Sequence, residues 1–430
     1  MKKWWFILFL VVVCAVLILL FTLKIRSWVK RSRDRKRIRE LDVMATQVES
    51  DRHVDTIFVS VPCYRETDAA KTMYDLLTKA KNPYRIRIGV CDQKEPQDDD
   101  TLKNVSALVE RDPRLAFDKI MPHIRILQMP ASQATGPMYA RSAIEQRLYR
   151  GEKYYLCIDA HMRFADGWDE ELVQQLEKGT RAPSRSVITM VPPAMPVSLL
   201  SLGFGEVRVP SSPSQRTPAP MTRFSRFEDE NAAGLIEVDA VPMARCSREP
   251  LPTNYRIPGF AFCRGAAIRE VPHDPFCSYV FLGELHLMSA RYWTHGYDFY
   301  TPTRTLAWHD WSRHGRYGTF WEQFQGDPAR EAIEQQGYER VLAVLGHRDI
   351  SGDPSLPPFM KAGIGAGEMH GLGTRRTIRD FYRHVGADPA TETVTTYGSL
   401  GLSPHLLTPQ DVETRFGSVQ KFEDEIKRRS

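Results

Sequence analysis

The chain has 430 residues, 42% of them hydrophobic and 26% charged, proportions that exclude both wholesale disorder and a polytopic membrane protein. Its net charge of +5 is unevenly spread: nine Lys or Arg against one Asp between Lys24 and Arg39 give that stretch +8, leaving −3 for the remainder, which argues against nucleic acid as a partner of the folded body. Seven cysteines without a C-x-x-C pair write neither a disulfide framework nor a zinc ribbon.

In chain order, Trp4 to Leu23 runs without a charge, long enough at 1.5 Å per residue to cross a hydrocarbon core of roughly 30 Å. With no A-x-A-like cleavage site and with Trp4 and Trp5 placed as interfacial anchors, residues 1–23 read as a short tail and an uncleaved single-pass anchor. Residues 24–50 form a basic stalk. Taken literally, the charge rule keeps the C-terminal body in the cytosol; a solvated stalk ahead of a Golgi or ER lumenal body is the other reading, and the sequon at Asn104 does not choose between them.

The soluble body alternates. Thr56 to Val61 reads as a buried strand, followed by a helix capped at Thr67 or Asp68 with Ala70, Met73, Leu76 and Leu77 on one face. Strands are expected at Arg85–Val90 and Ile124–Met129, then a helix from Pro137 to Arg150 leading into the apolar strand Tyr154–Ile158. Trp168, Leu172 and Leu176 mark a further helix that stops at Gly179. This alternation implies an α/β fold with a mainly parallel sheet covered on both faces. The Pro-, Ser- and Arg-rich stretch 192–258 reads as an irregular insertion. Regular structure returns at Gly259–Arg264, Phe281–Gly296 and Arg304–Trp308, and residues 316–430 form a helical C-terminal extension.

Asp159-Ala160-His161 follows the strand Tyr154–Ile158, and in open α/β sheets ligands bind beyond the carboxyl ends of strands. Two residues apart on extended chain, the two side chains point the same way. A carboxylate beside an imidazole suits a borderline divalent ion such as Mn²⁺; a surface turn is the plain alternative. His309, in Leu306-Ala307-Trp308-His309, completes an Asp/His/His set or is a buried structural histidine. Glu284 opens a helix, where an acid also stabilises the helix dipole without any catalysis. Arg141 is placed to reach a phosphate or to be solvated on a helix. There is no P-loop, no G-x-G-x-x-G, no G-x-S-x-G elbow and no H-E-x-x-H helix, and Cys63 reads as buried filler rather than a nucleophile.

Taken together, Ile57-Phe58-Val59-Ser60-Val61, Gly151 to Phe164, Gly283-Glu284, Arg291 to Pro302 and Gly371-Leu372-Gly373-Thr374-Arg375-Arg376 resemble the polypeptide α-N-acetylglucosaminyltransferases that act on hydroxyproline or threonine. These are relatives of the mucin-type polypeptide GalNAc-transferases. The resemblance covers Thr56 to Asp388 and implies a GT-A fold, here over residues 51–315, a UDP-sugar donor such as UDP-GlcNAc, a divalent metal, a protein acceptor and retention of anomeric configuration. By position, Asp159 and His161 resemble the D-x-H pair that holds metal and diphosphate, with His309 as third ligand. Glu284 resembles the acid near sugar and acceptor, and Arg65 and Arg141 flank the nucleotide. Leu285 stands where the family has a second acid. The alternatives are an inverting polysaccharide-type transferase and a catalytically silent glycan- or protein-binding relative.

Overall fold

A computed structural model describes residues 55–195, 217–227, 234–312, 318–402 and 408–429. The expected anchor at Trp4–Leu23 and the basic stalk lie outside the described residues. Among those described, no helix is long and apolar enough to cross a membrane.

The first half of the body is the expected alternation: β1 (Ile57–Tyr64), α1 (Ala69–Lys79), β2 (Ile86–Lys94), α2 (Thr101–Glu110), β3 (Ile124–Pro130), α3 (Pro137–Arg147), β4 (Tyr154–Ile158), β5 (Met162–Phe164) and α4 (Trp168–Gly179). Asp68 does take the N-cap position of α1 but makes no side-chain cap bond; its carboxylate is drawn instead to Arg163, at 2.7 and 2.9 Å. A bidentate guanidinium is the stronger partner.

The second half comprises β6 (Ser186–Thr189), β7 (Pro220–Phe227), β8 (Ile236–Pro242), β9 (Leu251–Thr253), β10 (Phe260–Arg264), α5 (Leu282–Thr294), β11 (Asp298–Thr301) and β12 (Ala307–His309). The C-terminal helices follow: α6 (Pro328–Val344), α7 (Ile378–Val385), α8 (Pro409–Phe416) and α9 (Val419–Arg429). The stretch 192–258, expected to be irregular, carries an antiparallel hairpin of β7 and β8 with an irregularity between Phe224 and Arg226. Proline begins β7 and ends β8, the strand positions that tolerate a missing donor.

Eight strands form one sheet in the order β3-β2-β1-β4-β10-β6-β11-β9. Its β3-β2-β1-β4 half is parallel. The other half departs from the mainly parallel expectation, because β10 runs antiparallel to both β4 and β6, and β9 antiparallel to β11. The sheet is nonetheless buried on both faces. From β1, Ile57, Val59 and Val61 pack with Met73, Leu76, Val105, Leu172 and Leu176; Phe58, pointing the other way, packs with Met138, Ile144, Leu287, Val341 and Phe381. Period-two alternation thus feeds two cores, one per face. Strand order reverses between β1 and β4, and the crevice beyond their carboxyl ends is where a doubly wound sheet offers a binding site.

Candidate active site

That crevice is a cavity of about 180 Å³ walled by Pro62–Glu66 at the carboxyl end of β1 and by Asp159, Ala160 and His161 after β4. Arg141 of α3 lies at its base, and Phe281, Phe320 and Trp321 form an aromatic side. Arg65 turns the chain at φ 45°, a left-handed conformation uncommon for a residue with a side chain and found disproportionately at functional sites. Its guanidinium grips Asp98 with bonds of 2.8 and 2.9 Å, which hold the Asp98 carboxyl below the usual range despite partial desolvation.

The turn Asp159–His161 is braced from α1. Thr72 donates its hydroxyl to the Ala160 carbonyl (2.8 Å) and accepts from the Met162 amide (2.9 Å). His309 arrives through the antiparallel pair β12–β5, where it faces Met162, and the Asp310 amide donates to the His161 carbonyl at 3.0 Å. A short ladder thereby brings together residues nearly 150 positions apart: the His161 and His309 rings lie 4.4 Å apart, and His309 Nε2 is 3.5 Å from Asp159 Oδ2. Trp311 covers His309, ring centres 3.9 Å apart.

His161 directs Nδ1 to Glu66 Oε2 at 2.8 Å, the kind of carboxylate contact that fixes an imidazole's orientation. Among the described residues no three His, Cys, Asp or Glu side chains are arranged as a metal cage. The expected trio is therefore contiguous but not preformed around a common centre, because His161 is turned to Glu66 and His309 to Asp159.

Arg141 organises the base of the cavity. It donates from Nη1 to both Glu284 oxygens at 2.8 Å, from Nη2 to Asp159 Oδ1 at 2.9 Å and from Nε to Cys157 Sγ at 3.2 Å. Burial alone would raise the Asp159 pKa, but the hydrogen bond to His309 and the charge of Arg141 carry it well below the ordinary carboxylate range. Burial likewise opposes ionisation of Glu284, and Arg141 with His273 outweighs it, leaving a lowered pKa. Glu284, in the first turn of α5, has a side chain only 3% exposed. It sits behind Arg141 and off the cavity wall, so its position suits holding Arg141 rather than touching a ligand. Leu285, half-buried, packs against the core face served by Phe58 and Leu287.

Sequence reasoning did not find Glu66, Thr72, Gly259, Glu145 or His273. A Cβ built on Gly259 would stand 2.6 Å from Asp159 Oδ2, so this glycine lets the backbone approach the carboxylate. No local pattern marks these residues, since each acts on a partner far away in the chain. Cys63 lines the cavity, but burial raises its thiol well above the ordinary range, the opposite of an activated nucleophile.

The family model described as "Glycosyltransferase (GlcNAc)" matches residues 56–114 and 109–391. No curated protein matches the chain significantly. Among solved structures, the chain is similar to GalNAc-T7 crystallised with UDP, GalNAc and Mn²⁺, at 15% identity and TM-score 0.48 over 67% of this chain and 48% of that one. It thus spans about half the length of that relative. It is also similar to the mannosyltransferase PcManGT from Pyrobaculum calidifontis in complex with GDP-Man and Mn²⁺ (12% identity, TM-score 0.35, covering 76% of this chain and 86% of that one). A third is S. aureus TarS 1-349 in complex with UDP-GlcNAc (12%, TM-score 0.36, 71% and 69%).

Proposed function

The chain belongs to the glycosyltransferase (GlcNAc) family, and from that membership we propose that it is a metal-dependent, retaining transferase of GT-A type moving N-acetylglucosamine from UDP-GlcNAc to a protein hydroxyl, hydroxyproline or Ser/Thr. In this reading residues 51–315 carry the chemistry, 316–430 extend them, and the segment 4–23 anchors the enzyme to a membrane.

The observation that carries the reading is the meeting of Asp159, His161 and His309 at the carboxyl end of β4, beside a cavity. One carboxylate and two imidazoles are a donor set suited to Mn²⁺, and the two rings and Asp159 lie within reach of one another. Asp159, His161 and His309 would hold the ion, which supplies neutralisation of a leaving diphosphate. Around it the chain's own groups act by position and charge. Arg141 orients the Asp159 carboxylate and presents positive charge to the cavity; Arg65, pinned by Asp98, adds a second cation at the rim; Glu66 keeps the His161 ring turned. Glu284 fixes Arg141. No enzymic nucleophile need take part in this reading: the acceptor hydroxyl enters on the face from which UDP departs.

The test is a screen of the full-length protein across UDP-sugars with Mn²⁺, using hydroxyproline and threonine peptides side by side and reading UDP release and product anomericity. Transfer of GlcNAc with retention is expected, and Asp159→Ala and His161→Ala should abolish it while remaining folded. Undiminished turnover in either variant, or an inverted product, would overturn the reading.

A further inference from the structure

From Arg141 at the base of the cavity, a ring of buried polar side chains runs back into the protein. Arg141 and Glu145 stand four residues apart on α3, on one face of the helix, yet each turns to a partner on another segment. Arg141 Nη1 binds both oxygens of Glu284 at 2.8 Å. Glu145 takes His273 twice, through the His273 backbone amide at 2.9 Å and ring Nδ1 at 2.7 Å. The circuit closes where His273 Nε2 comes 3.5 Å from Glu284 Oε1. Tyr155 of β4 adds a hydrogen bond to Glu145 at 2.9 Å. The His273 side chain is 0% exposed, and those of Arg141, Glu145 and Glu284 are each 3% exposed.

We propose that His273 is a positioning residue for Arg141, acting through Glu284, with Glu145 holding the imidazole in place; this rests on the assignment of the cavity as the donor site. The argument is one of fixity. Glu284 is the only carboxylate, among the described residues, that meets Arg141 with both oxygens, so the direction in which Arg141 points to Asp159 depends on how Glu284 is held. On its far side Glu284 meets the His273 ring. That ring cannot turn away, because its backbone amide and Nδ1 are both tied to Glu145, one helical turn along from Arg141 itself. Glu284 is thus held between an arginine and a histidine anchored to the same helix, and the arginine inherits that rigidity.

The test is a double-mutant cycle of His273→Gln and Glu284→Gln in the full-length protein, read in two ways. The first is the Nε–H resonance of Arg141, assigned by its loss in Arg141→Lys, which needs no donor or acceptor. The second is kcat and the UDP-GlcNAc KM for UDP release. We expect His273→Gln to shift the Arg141 resonance and to lower kcat by about 10–100-fold, with KM changed by less than about threefold. In the Glu284→Gln background the same substitution should add less than about twofold, since its route to Arg141 is already cut. A histidine of merely structural importance would give losses that multiply. An unmoved Arg141 resonance in folded His273→Gln, or multiplying losses, overturns the proposal. Should His273→Gln fail to fold, Glu145→Gln, which releases the imidazole from the other side, is read identically. A wild type that turns over no UDP-sugar refutes the donor-site assignment, while the resonance still decides the role of His273.

Discussion

Gly259 shows how closely the site is built around one carboxylate. A side chain at this position would put its Cβ 2.6 Å from Asp159 Oδ2. That oxygen ends a short, partly exposed side chain, so the conflict is relieved by moving the carboxylate rather than the backbone. Moving it breaks the geometry of both its partners, Arg141 at Oδ1 and His309 at Oδ2. Gly259→Ala should therefore leave the melting temperature nearly unchanged and lower Mn²⁺-dependent UDP release by about 10–100-fold, the usual consequence of misplacing a reacting group by an ångström. A variant with full activity would show that the carboxylate does not need this place. The placement of Asp159 and His161 beyond β4 was legible in the sequence because an acid and an imidazole follow directly on an apolar strand, although the pair alone also fits a surface turn. Glu66 and His273 were not: their partners lie 95 and 128 residues away, and nothing local distinguishes them from solvated loop residues.

At the level of elements, the turn from β4 to β5 is braced from α1 on both sides of His161 by the Thr72 hydroxyl. Thr72, 0% exposed, satisfies the Ala160 carbonyl and the Met162 amide on either side of His161. Thr72→Val keeps the shape but orphans two backbone groups, at a cost of about 1–3 kcal/mol each; a lower urea midpoint together with weaker Mn²⁺-dependent turnover is expected, and stability lost without any change in turnover would separate the brace from the site. A second contact ties α5 to β8, where buried His286 accepts at Nδ1 from the Ile236 amide at 3.1 Å. Burial, reinforced by the charge of His347, pushes the His286 pKa down to about 3. In the unfolded chain a histidine takes up a proton near pH 6.5, so below that value the unfolded state binds more protons than the folded one. Stability contributed by His286 is thus present above about pH 6.5 and falls as pH drops toward 3. His286→Asn should flatten this part of the stability-against-pH curve; an equally steep curve would assign the acid sensitivity elsewhere. Strand existence was readable here, strand direction was not. Phe260–Arg264 shows the apolar run of any central strand, which carries no mark of running antiparallel, and the proline-rich sequence of β7 and β8 concealed a hairpin whose prolines lie at its ends.

Across the whole molecule, the region after residue 316 is fastened to the loop that bears His273. Pro272 is held through its carbonyl by Arg291 at 2.6 Å, and the same guanidinium reaches the carbonyls of Met369 and Gly371. One residue beyond His273, Asp274 pairs with Arg340 of α6 at 2.7 Å, both side chains 0% exposed. Arg340 also donates to the Met360 and Ala362 carbonyls at 2.8 and 3.0 Å. The same helices give Val341, Leu342 and Phe381 to the core on the α3 face of the sheet. Residues that the sequence sets apart as an extension therefore share a core with the body, and fix the segment from which His273 projects. Arg340→Met should leave the Asp274 carboxylate buried and uncompensated, costing about 3–5 kcal/mol. Asp274→Leu combined with Arg340→Met removes both charges and should recover much of that loss, because a buried ion pair replaced by apolar groups of similar volume is often neutral. Thermal unfolding of the two variants measures the difference. If the double variant is no more stable than the single, the pair matters for its hydrogen bonds to the backbone at Met360 and Ala362 rather than for its charge balance; if it recovers, the C-terminal helices are held to the His273 loop chiefly by packing.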